Sequence, residues 1–494
     1  MNPTLRRDLR SAILLIGTLL GISAIAESLP GTEARPTVAL FPLRVSENHR
    51  YLMDQNGIPF LIVGDSPQGL IGRLSEKEAE QYFADREAHG FNTLGWMNVL
   101  CAGRDYPTNT FATTPDGIRP FTRFFFGGSD YRYYDLSKPN EAYFVRVDHL
   151  LQLAMNHHLA VFLNPIETIG WLPTLRKNGL EAAFAYGEFL GRRYRRFKNV
   201  LWLNGNDFRS WHASQAGALS DAAQKGLRPL YRTWRERNDD ALVQAVAKGI
   251  RSASPLQLQT LELEPPNSSS LDNSAWATLV DLNATYTYAP TYLQVLHSYG
   301  EMPIAPTFLV EAHYEYEDAG DPRDLGSAFV LRKQEYWTML SGGTGQFYGS
   351  AYTWSFRDGW QANIDTVGVR QIEYWKKFFM SIAWQDLIPD KDGHVLASGA
   401  SSPGNIKVPI SATEYATAAR TSDGSAAVIY IPSTRPISVN MTALSRPARP
   451  VWFDPACGNY TRGKPIMNVG IRQFTPPGQN CSGDGDWVLL LIAR

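Results

Sequence analysis

Residues 199–207 read Asn-Val-Leu-Trp-Leu-Asn-Gly-Asn-Asp, a short apolar run that ends in polar residues. Residues 305–311, which read Ala-Pro-Thr-Phe-Leu-Val-Glu, repeat this design. Near-continuous apolar runs of this length predict strands of a parallel sheet that is covered on both faces. A carboxylate follows each run, Asp207 in one case and Glu311 in the other. Both are therefore expected at the carboxyl ends of strands, where barrel enzymes build their active sites.

Similar apolar runs recur through most of the chain and alternate with longer stretches of helical period. One helix is clearly marked, because Ser75 is a predicted N-cap with Glu78 at the third helical position, and Gly90 follows the last turn. A second helix is predicted over residues 181–196. Eight strands that alternate with helices predict βαβ units and a (β/α)₈ TIM barrel. The eight predicted strands are 60–63, 93–99, 160–163, 200–203, 258–263, 283–288, 307–310 and 346–351.

The 494 residues fit such a barrel of about 300 residues or more, followed by a module of about 100. After residue 390 the chain alternates strand-like runs with Ser, Gly and Pro turns, which predicts a small all-β sandwich over residues 391–494. The barrel is predicted over residues 27–390. It includes an N-terminal hairpin over residues 43–57 that is expected to cover the barrel's bottom. The sandwich is interpreted as a brace packed against the barrel.

The first 26 residues are predicted to be a signal peptide. Three arginines precede an apolar run over residues 12–26, and this run ends in the small-x-small triplet Ala24-Ile25-Ala26. The run is shorter than the roughly 20 apolar residues of a transmembrane helix, although an uncleaved anchor is the alternative. The mature protein is therefore expected to be periplasmic or extracellular and free of the membrane.

Composition narrows the class of protein further. The formal net charge of −1 gives no basic face, so nucleic acid is not an expected partner. The nine histidines lack HExxH or another metal-binding spacing, so neither a catalytic metal nor another cofactor is predicted. Cys457 and Cys481 both lie in the C-terminal module, where an exported protein can join them, and Cys101 is left over. The oligomeric state is left open.

Ionisable residues end several of the predicted strands. A ring of carboxylates beside aromatic side chains indicates glycoside hydrolysis, in which one carboxyl protonates the leaving oxygen and another stabilises or attacks the anomeric carbon. By fold-level analogy with retaining barrel glycosidases, we expect Asp207 at strand four to be the acid/base and Glu311 at strand seven the nucleophile. The alternative for each single residue is a helix cap or an ion pair with arginine. The strand-end residues are Asp65, Glu167, Asp207, Glu262, Glu264 and Glu311.

Other residues near the strand ends are predicted to bind the substrate. Glu315 lies on the same loop as Glu311 and is the alternative nucleophile if strand seven ends four residues later. Asp65 can bind a pair of sugar hydroxyls or cap a helix, and His313 can bind substrate or have no role. The predicted substrate-binding set is Asp65, Trp96, Asn206, His313, Glu315, Tyr348 and Trp354.

Several motifs occur together along nearly the whole chain after residue 26. They are Leu43-Arg-Val-Ser-Glu-Asn, Pro59-Phe-Leu-Ile-Val-Gly-Asp65, Tyr82-Phe-Ala-Asp-Arg-Glu-Ala-His-Gly90, Glu311-Ala-His-Tyr-Glu315, Arg332-Lys-Gln-Glu-Tyr-Trp337 and Val451-Trp-Phe-Asp-Pro455. Their combination resembles the apiosidase-like glycoside hydrolases, glycoside hydrolase family 140, joined to a C-terminal module named for collagen binding. Nothing in the residues of that module indicates affinity for collagen.

The resemblance implies a retaining mechanism with Asp207 as acid/base and Glu311 as nucleophile, acting on a β-linked apiosyl unit of rhamnogalacturonan II. The chain departs from the family pattern around residues 262–265 and in strand six, so another furanosyl or pentosyl unit is an alternative. The expected function is removal of a terminal pentosyl unit from a plant or bacterial polysaccharide or oligosaccharide. An alternative of another class is a non-catalytic carbohydrate-binding or surface-interaction protein on a barrel scaffold, although Asp207 and Glu311 favour an enzyme.

Overall fold

The computed structural model describes residues 38–101, 113–125, 131–208, 239–317, 325–405 and 408–494. The predicted signal peptide over residues 1–26 lies outside these ranges. Within these ranges, every helix is too short or too polar to cross a membrane.

The described chain contains all eight predicted barrel strands, followed by an all-β module. In chain order the strands are β1 (Arg44–Val45), β2 (Leu52–Met53), β3 (Pro59–Phe60), β4 (Ile62–Asp65), β5 (Thr93–Asn98), β6 (Ala160–Asn164), β7 (Val200–Phe208), β8 (Gln259–Leu263), β9 (Asn267–Ser269), β10 (Asn283–Thr287), β11 (Thr307–Glu311), β12 (Gly345–Tyr348), β13 (Leu387–Pro389), β14 (Leu396–Ser398), β15 (Thr417–Thr421), β16 (Ala426–Ile431), β17 (Ile437–Asn440), β18 (Ala448–Phe453), β19 (Tyr460–Arg462), β20 (Ile471–Phe474) and β21 (Trp487–Ala493). The helices are α1 (Leu70–Arg73), α2 (Glu76–Ala88), α3 (Glu141–Asn156), α4 (Thr168–Tyr194), α5 (Asp239–Ala253), α6 (Thr291–Gly300), α7 (Ala328–Leu340) and α8 (Val367–Met380). The fold-class prediction is confirmed.

The barrel sheet has the order β8-β7-β6-β5-β4-β12-β11-β10-β9, and all its pairs are parallel except the antiparallel pair of β9 with β10. Two hydrogen bonds close the circle between β8 and the residues directly before β10. Thr260 Oγ1 donates to the Leu282 carbonyl at 2.8 Å, and the Asp281 N–H donates to the Gln259 carbonyl at 2.7 Å. The carboxyl ends of the eight strands therefore share one rim.

Three phenylalanines fill the middle of the barrel. The ring centroids of Phe162, Phe308 and Phe347 lie 5.0 to 5.4 Å apart in all three pairs. A Cβ atom at Gly64 or Gly95 would come within 2.4 Å of the Phe347 ring, so only glycine leaves room for that ring. The result is a packed core below the rim.

The first predicted helix agrees with α2, and the second needs a correction. Ser75 caps α2 in a capping box with Glu78, as expected. The helix predicted over residues 181–196 is only the second half of α4, which begins at Thr168. Gly179 interrupts α4 with φ of 80°, a left-handed conformation that breaks the helical period in the sequence.

The N-terminal segment forms a three-stranded antiparallel sheet, β1-β2-β3. Leu43, Leu52 and Phe60 of this segment are buried in the same cluster as Phe162 and Phe308. The predicted hairpin thus gains a third strand, and its apolar side chains close the barrel at the end opposite the rim.

The C-terminal module is a sandwich of a six-stranded sheet, β13-β15-β16-β21-β18-β19, and a three-stranded sheet, β14-β17-β20. Because β13 already pairs with β15, the larger sheet includes residues before the predicted boundary at 391. A disulfide joins Cys457 to Cys481. The module packs on barrel helix α7, where the rings of Tyr336 and Tyr430 stack with centroids 5.1 Å apart.

Candidate active site

Strand β7 delivers Asp207 to the rim through an irregular end. Gly205 and Asp207 both have positive φ, 71° and 44°, and the pairing of β7 with β8 shifts register between Asn204 and Phe208. Left-handed backbone is costly for a residue other than glycine, so the surroundings must stabilise it. Thr168 contributes by donating from Oγ1 to the Asn206 carbonyl and by accepting the Asn206 N–H at 2.8 Å. Asp207 is thereby turned out of the regular ladder and stays partly exposed.

Glu311 is the last residue of β11, and three tyrosine hydroxyls surround its carboxylate. Tyr286 and Tyr288 donate to Oε1 at 2.8 and 2.5 Å, and Tyr314 donates to Oε2 at 2.9 Å. Tyr286 is the direct register partner of Glu311 across β10 and β11. Gln68 Nε2 donates in turn to the Tyr314 hydroxyl at 3.0 Å. Such an array of donors fixes the carboxylate and favours its charged form.

Tyr286 also joins Glu311 to Asp207. Its hydroxyl lies 3.0 Å from Asp207 Oδ1 and 2.8 Å from Glu311 Oε1. These two carboxylate oxygens can therefore be no farther apart than the sum of the two distances, 5.8 Å. The structure thus brings together the two carboxyls that the sequence singled out.

A third carboxyl, Glu262 of β8, completes this group. Its side chain is fully buried, and Oε1 accepts the N–H of Asp207 at 3.4 Å. Burial raises the pKa of Glu262 well above its usual value, and the charges of Glu311 and Asp207 raise it further. Both effects favour the neutral acid form of Glu262.

Electrostatics in this pocket oppose a second negative charge. Burial, followed by the charge of Asp207, raises the pKa of Glu311 to about 8, although the hydroxyls of Tyr288, Tyr286 and Tyr314 lower it. Burial and the nearby carboxylates raise the pKa of all three tyrosines well above 10, so they remain hydrogen-bond donors. Glu311 and Asp207 are therefore expected to hold one proton between them near neutral pH.

Two predicted substrate ligands, Asp65 and Glu315, are bonded to the scaffold instead. Asp65 is fully buried and accepts hydrogen bonds from Tyr82 at 2.5 Å and from Arg86 at 2.6 Å, both on α2. Glu315 accepts from the hydroxyls of Tyr348 and Thr366 and from the N–H of Gly368. Both carboxylates thus lie between the sheet and the helices. This placement corrects the predicted sugar-binding role of Asp65 and removes Glu315 as an alternative nucleophile.

The predicted substrate-binding role of Tyr348 is corrected in the same way, because Tyr348 is buried and its hydroxyl donates to Glu315. His313 is a buried neighbour of the site, where its Nε2 lies 3.0 Å from the Tyr288 carbonyl. That contact positions one of the tyrosines that bind Glu311. Asn206 is likewise buried, and its Oδ1 accepts from the Thr168 N–H at 3.0 Å.

Two tryptophans were predicted to stack on the substrate. Trp96 is fully buried in the barrel core with Tyr286, and its φ of 68° marks an irregularity in β5. Its indole N–H has no hydrogen-bond partner among the described residues. Trp354 is partly exposed in the loop after β12, and its Nε1 donates to Glu317 at 2.7 Å. Of the two, only Trp354 is partly exposed.

The sequence interpretation missed the three tyrosines and the contact between Glu262 and Asp207. Tyr286 and Tyr288 stand in the predicted strand over residues 283–288, where a tyrosine is indistinguishable from a core residue. The available signal was the position of Tyr286, which pairs with Glu311 when β10 and β11 are aligned at their carboxyl ends.

Potential metal ligands group elsewhere in the described part of the chain. Asp272, His297 and Glu301 offer three ligand atoms within 4.8 Å of one another. His297 is already paired with Asp272 at 2.9 Å, and Glu301 accepts from Asn283, the first residue of β10. This cluster therefore lies at the strand end opposite the rim. The other group contains Cys457 and Cys481, which are joined in the disulfide.

Comparison with known proteins gives two family matches. The model described as "Apiosidase-like, catalytic domain" matches residues 46–386, and the one described as "Putative collagen-binding domain of a collagenase" matches residues 407–492. No curated protein matches the chain.

Solved structures share the fold across both parts of the chain. A protein named only as a glycoside hydrolase is 20% identical with a TM-score of 0.72, covering 92% of this chain and 97% of that one. A glycoside hydrolase family 5 protein from Bacteroides vulgatus ATCC 8482 is also 20% identical with a TM-score of 0.72, covering 91% and 93%.

Proposed function

Because the chain belongs to the apiosidase-like family and is a glycoside hydrolase, we propose that it removes a terminal pentosyl unit with retention of configuration. The unit is apiosyl-like or another furanosyl, and the substrate is a polysaccharide or oligosaccharide. Asp207 is the acid/base and Glu311 the nucleophile. Consistent with the apolar run at residues 12–26, the protein acts after export, in the periplasm or outside the cell.

The observation that carries this proposal is the Tyr286 hydroxyl shared by Asp207 and Glu311. It limits the separation of their facing oxygens to 5.8 Å. Retaining glycosidases hold the two carboxyls about 5–5.5 Å apart, whereas inverting enzymes need roughly 6.5–9.5 Å to admit a water molecule. The short separation favours direct attack by one carboxylate on the sugar.

In the first step, Asp207 donates its proton to the glycosidic oxygen while Glu311 attacks the anomeric carbon. The bond to the leaving group breaks, and a covalent glycosyl-enzyme forms on Glu311. In the second step, Asp207 removes a proton from water, which attacks the anomeric carbon and releases Glu311. The three tyrosine donors stabilise the Glu311 carboxylate before attack and when it leaves.

The electrostatics fit this division of roles. Two adjacent buried carboxylates resist ionising together, so one proton remains on the pair. Three hydroxyls donate to Glu311, and the hydroxyl of the shared Tyr286 also lies 3.0 Å from Asp207 Oδ1. In the reactive form, the proton is on the more exposed Asp207 and the negative charge is on Glu311.

Hydrolysis of a panel of aryl β-glycosides tests the proposal. The panel contains the apioside, arabinofuranoside, xyloside and galactoside, and the enzymes are wild type, Asp207→Ala and Glu311→Ala. We expect turnover of a pentoside, a loss of at least about 10³-fold in each variant, and partial rescue of Asp207→Ala by azide. Full activity in either variant would contradict the assigned roles, and an inverted product anomer would contradict retention.

A further inference from the structure

Glu262 is a buried carboxyl with no assigned role in the proposed mechanism. It belongs to β8, the neighbour of β7, and its only described hydrogen bond is the one that Oε1 accepts from the Asp207 N–H. The other oxygen, Oε2, is buried and has no hydrogen-bond partner among the described residues. Burying a carboxyl oxygen without a hydrogen-bond partner costs free energy of folding. Proteins usually tolerate this cost only at functional sites.

We propose that Glu262 is a positioning residue that holds Asp207 in the orientation required of the general acid. This inference rests on the proposed function. The acting atom is Oε1, which binds the backbone N–H of Asp207 at the point where β7 leaves the regular ladder.

The backbone of Asp207 explains why it needs such a contact. With φ of 44°, Asp207 is in the left-handed region, which disfavours a residue that carries a Cβ atom. The register shift beside Phe208 takes this part of β7 out of the regular pairing with β8. The Glu262 side chain supplies an acceptor for the Asp207 N–H where the main chain of β8 does not. Without it, the Asp207 N–H loses this acceptor.

The surroundings of Glu262 favour its neutral form. The groups that face Glu262 are Asp207 on β7, Glu311 on β11, Tyr286 on β10 and Tyr314 on the loop after β11. None of these is a cation, and Glu262 forms no ion pair with a described residue. An ionised Glu262 would place a second negative charge beside the singly charged pair and raise the pKa of Glu311 further. The neutral acid accepts the N–H without that penalty.

The test uses Glu262→Leu, which removes the acceptor, and Glu262→Gln, which keeps a neutral carbonyl acceptor of similar size. Each is compared with the wild-type full chain on two glycosides of the same sugar. A phenyl leaving group needs proton donation by Asp207, whereas a 2,4-dinitrophenyl group leaves without it. The value of kcat/KM reports the first step alone. Comparing kcat/KM for the two substrates therefore separates an effect on proton donation by Asp207 from every other effect.

We expect Glu262→Leu to lower kcat/KM for the phenyl glycoside about 10- to 100-fold, and for the dinitrophenyl glycoside less than about 3-fold. Glu262→Gln should restore the phenyl glycoside to within about 3-fold of wild type. Glu262→Gln should leave Tm unchanged, because it keeps an acceptor for the Asp207 N–H.

Three results would overturn the inference. They are equal losses on both glycosides, wild-type activity of the Leu variant on the phenyl glycoside, or a Gln variant as impaired as the Leu variant. Each leaves the proposed function intact, because wild type still hydrolyses the substrates. Failure of wild type to hydrolyse any glycoside would instead overturn the proposed function, and this inference with it.

Discussion

Tyr286 binds both carboxyls of the candidate site, so its single hydroxyl hydrogen is shared between Asp207 and Glu311. Tyr288 and Tyr314 donate to Glu311 but not to Asp207 in the described contacts. The charge of the nucleophile thus depends on three neutral groups instead of an arginine or lysine. A neutral donor stabilises the anion yet leaves the attacking oxygen more nucleophilic than a salt bridge would.

The pH dependence of hydrolysis should reveal this arrangement. Tyr314→Phe removes one donor that lowers the pKa of Glu311, so that pKa rises. Since the nucleophile must be ionised, the acidic limb of the kcat/KM profile should move to higher pH by about one unit. Tyr186→Phe is the control, because its hydroxyl donates to the Pro165 carbonyl away from the carboxyls. An unmoved or lowered acidic limb in Tyr314→Phe would contradict the assignment of Glu311.

The raised pKa of Glu311 also has a consequence for stability. Its folded-state pKa of about 8 exceeds the ordinary 4.5, so the folded state holds the proton more tightly than the unfolded chain. The stability that this proton provides is complete below about pH 4.5 and is lost as the pH rises to 8. Glu311→Gln removes the ionisation and should be more stable than wild type at pH 8–9, by at least about 1 kcal/mol.

Denaturant unfolding at pH 5 and pH 8.5 measures this difference. The gain from Glu311→Gln should shrink at pH 5, where wild type keeps the proton. Exposed Glu181 on α4 provides the control, because Glu181→Gln should leave the stability of the chain unchanged at both values. A gain of equal size at both pH values would show that packing and not ionisation is responsible.

At the scale of elements, the apolar runs were sufficient to locate all eight barrel strands and the two carboxylates at the ends of β7 and β11. Side-chain direction was the harder inference. Residues Leu61 and Val63 of the first run pack toward the helix layer, and Asp65 follows the same alternation outward to Arg86. A run in which every residue is buried hides this alternation, because both of its faces are apolar.

Partners distant in sequence explain the other misplaced residues. The Glu315 carboxylate accepts a hydrogen bond from Thr366, which is 51 residues away in the sequence. Tyr286 is hydrogen-bonded to Asp207, which is 79 residues away. No local pattern encodes such contacts, which arise only when the strands are aligned in register. The disulfide belongs to the same class, since two cysteines in one module permit a bond without requiring it.

The irregular end of β7 should be sensitive to a single methyl group. Gly205 has φ of 71°, and a Cβ atom there would lie 3.2 Å from Thr168 Cγ2. Gly179 in α4 has φ of 80° with nothing within 4 Å, so it is a matched control for the backbone cost alone. Both alanine variants should lose about 1 kcal/mol of stability, but only Gly205→Ala should lower kcat, by about 10-fold or more.

Thermal unfolding and steady-state kinetics of the two variants distinguish backbone strain from displacement of Asp207. If Gly179→Ala lowered kcat as much as Gly205→Ala, the loss would follow from general strain. The special role of the β7 end would then be wrong.

At the scale of the whole molecule, the barrel and the sandwich share one hydrophobic cluster and one buried ion pair. Tyr336 and Phe378 of the barrel helices pack with Tyr430 and Phe453 of the sandwich. Beside them, Arg332 of α7 donates to both carboxylate oxygens of Asp486 at 2.9 Å, and both side chains are almost completely buried. This interface resembles a domain interior, so the two parts are expected to unfold together.

Arg332→Met tests this coupling, because it leaves the buried Asp486 carboxylate without its cation. Tyr430 and Asn480 still donate to Asp486, yet two neutral donors do not replace a guanidinium. The free energy of unfolding should fall by about 3–5 kcal/mol, and Arg332→Met combined with Asp486→Leu should recover much of that loss.

Exposed Arg192, paired with Glu188 on α4, is the control, and Arg192→Met should cost less than about 1 kcal/mol. Because the pair lies behind α7 and not at the rim, kcat at low temperature should remain within about 2-fold of wild type. A large fall in kcat without a fall in stability would mean that the sandwich acts on catalysis directly, and its interpretation as a brace would have to be abandoned.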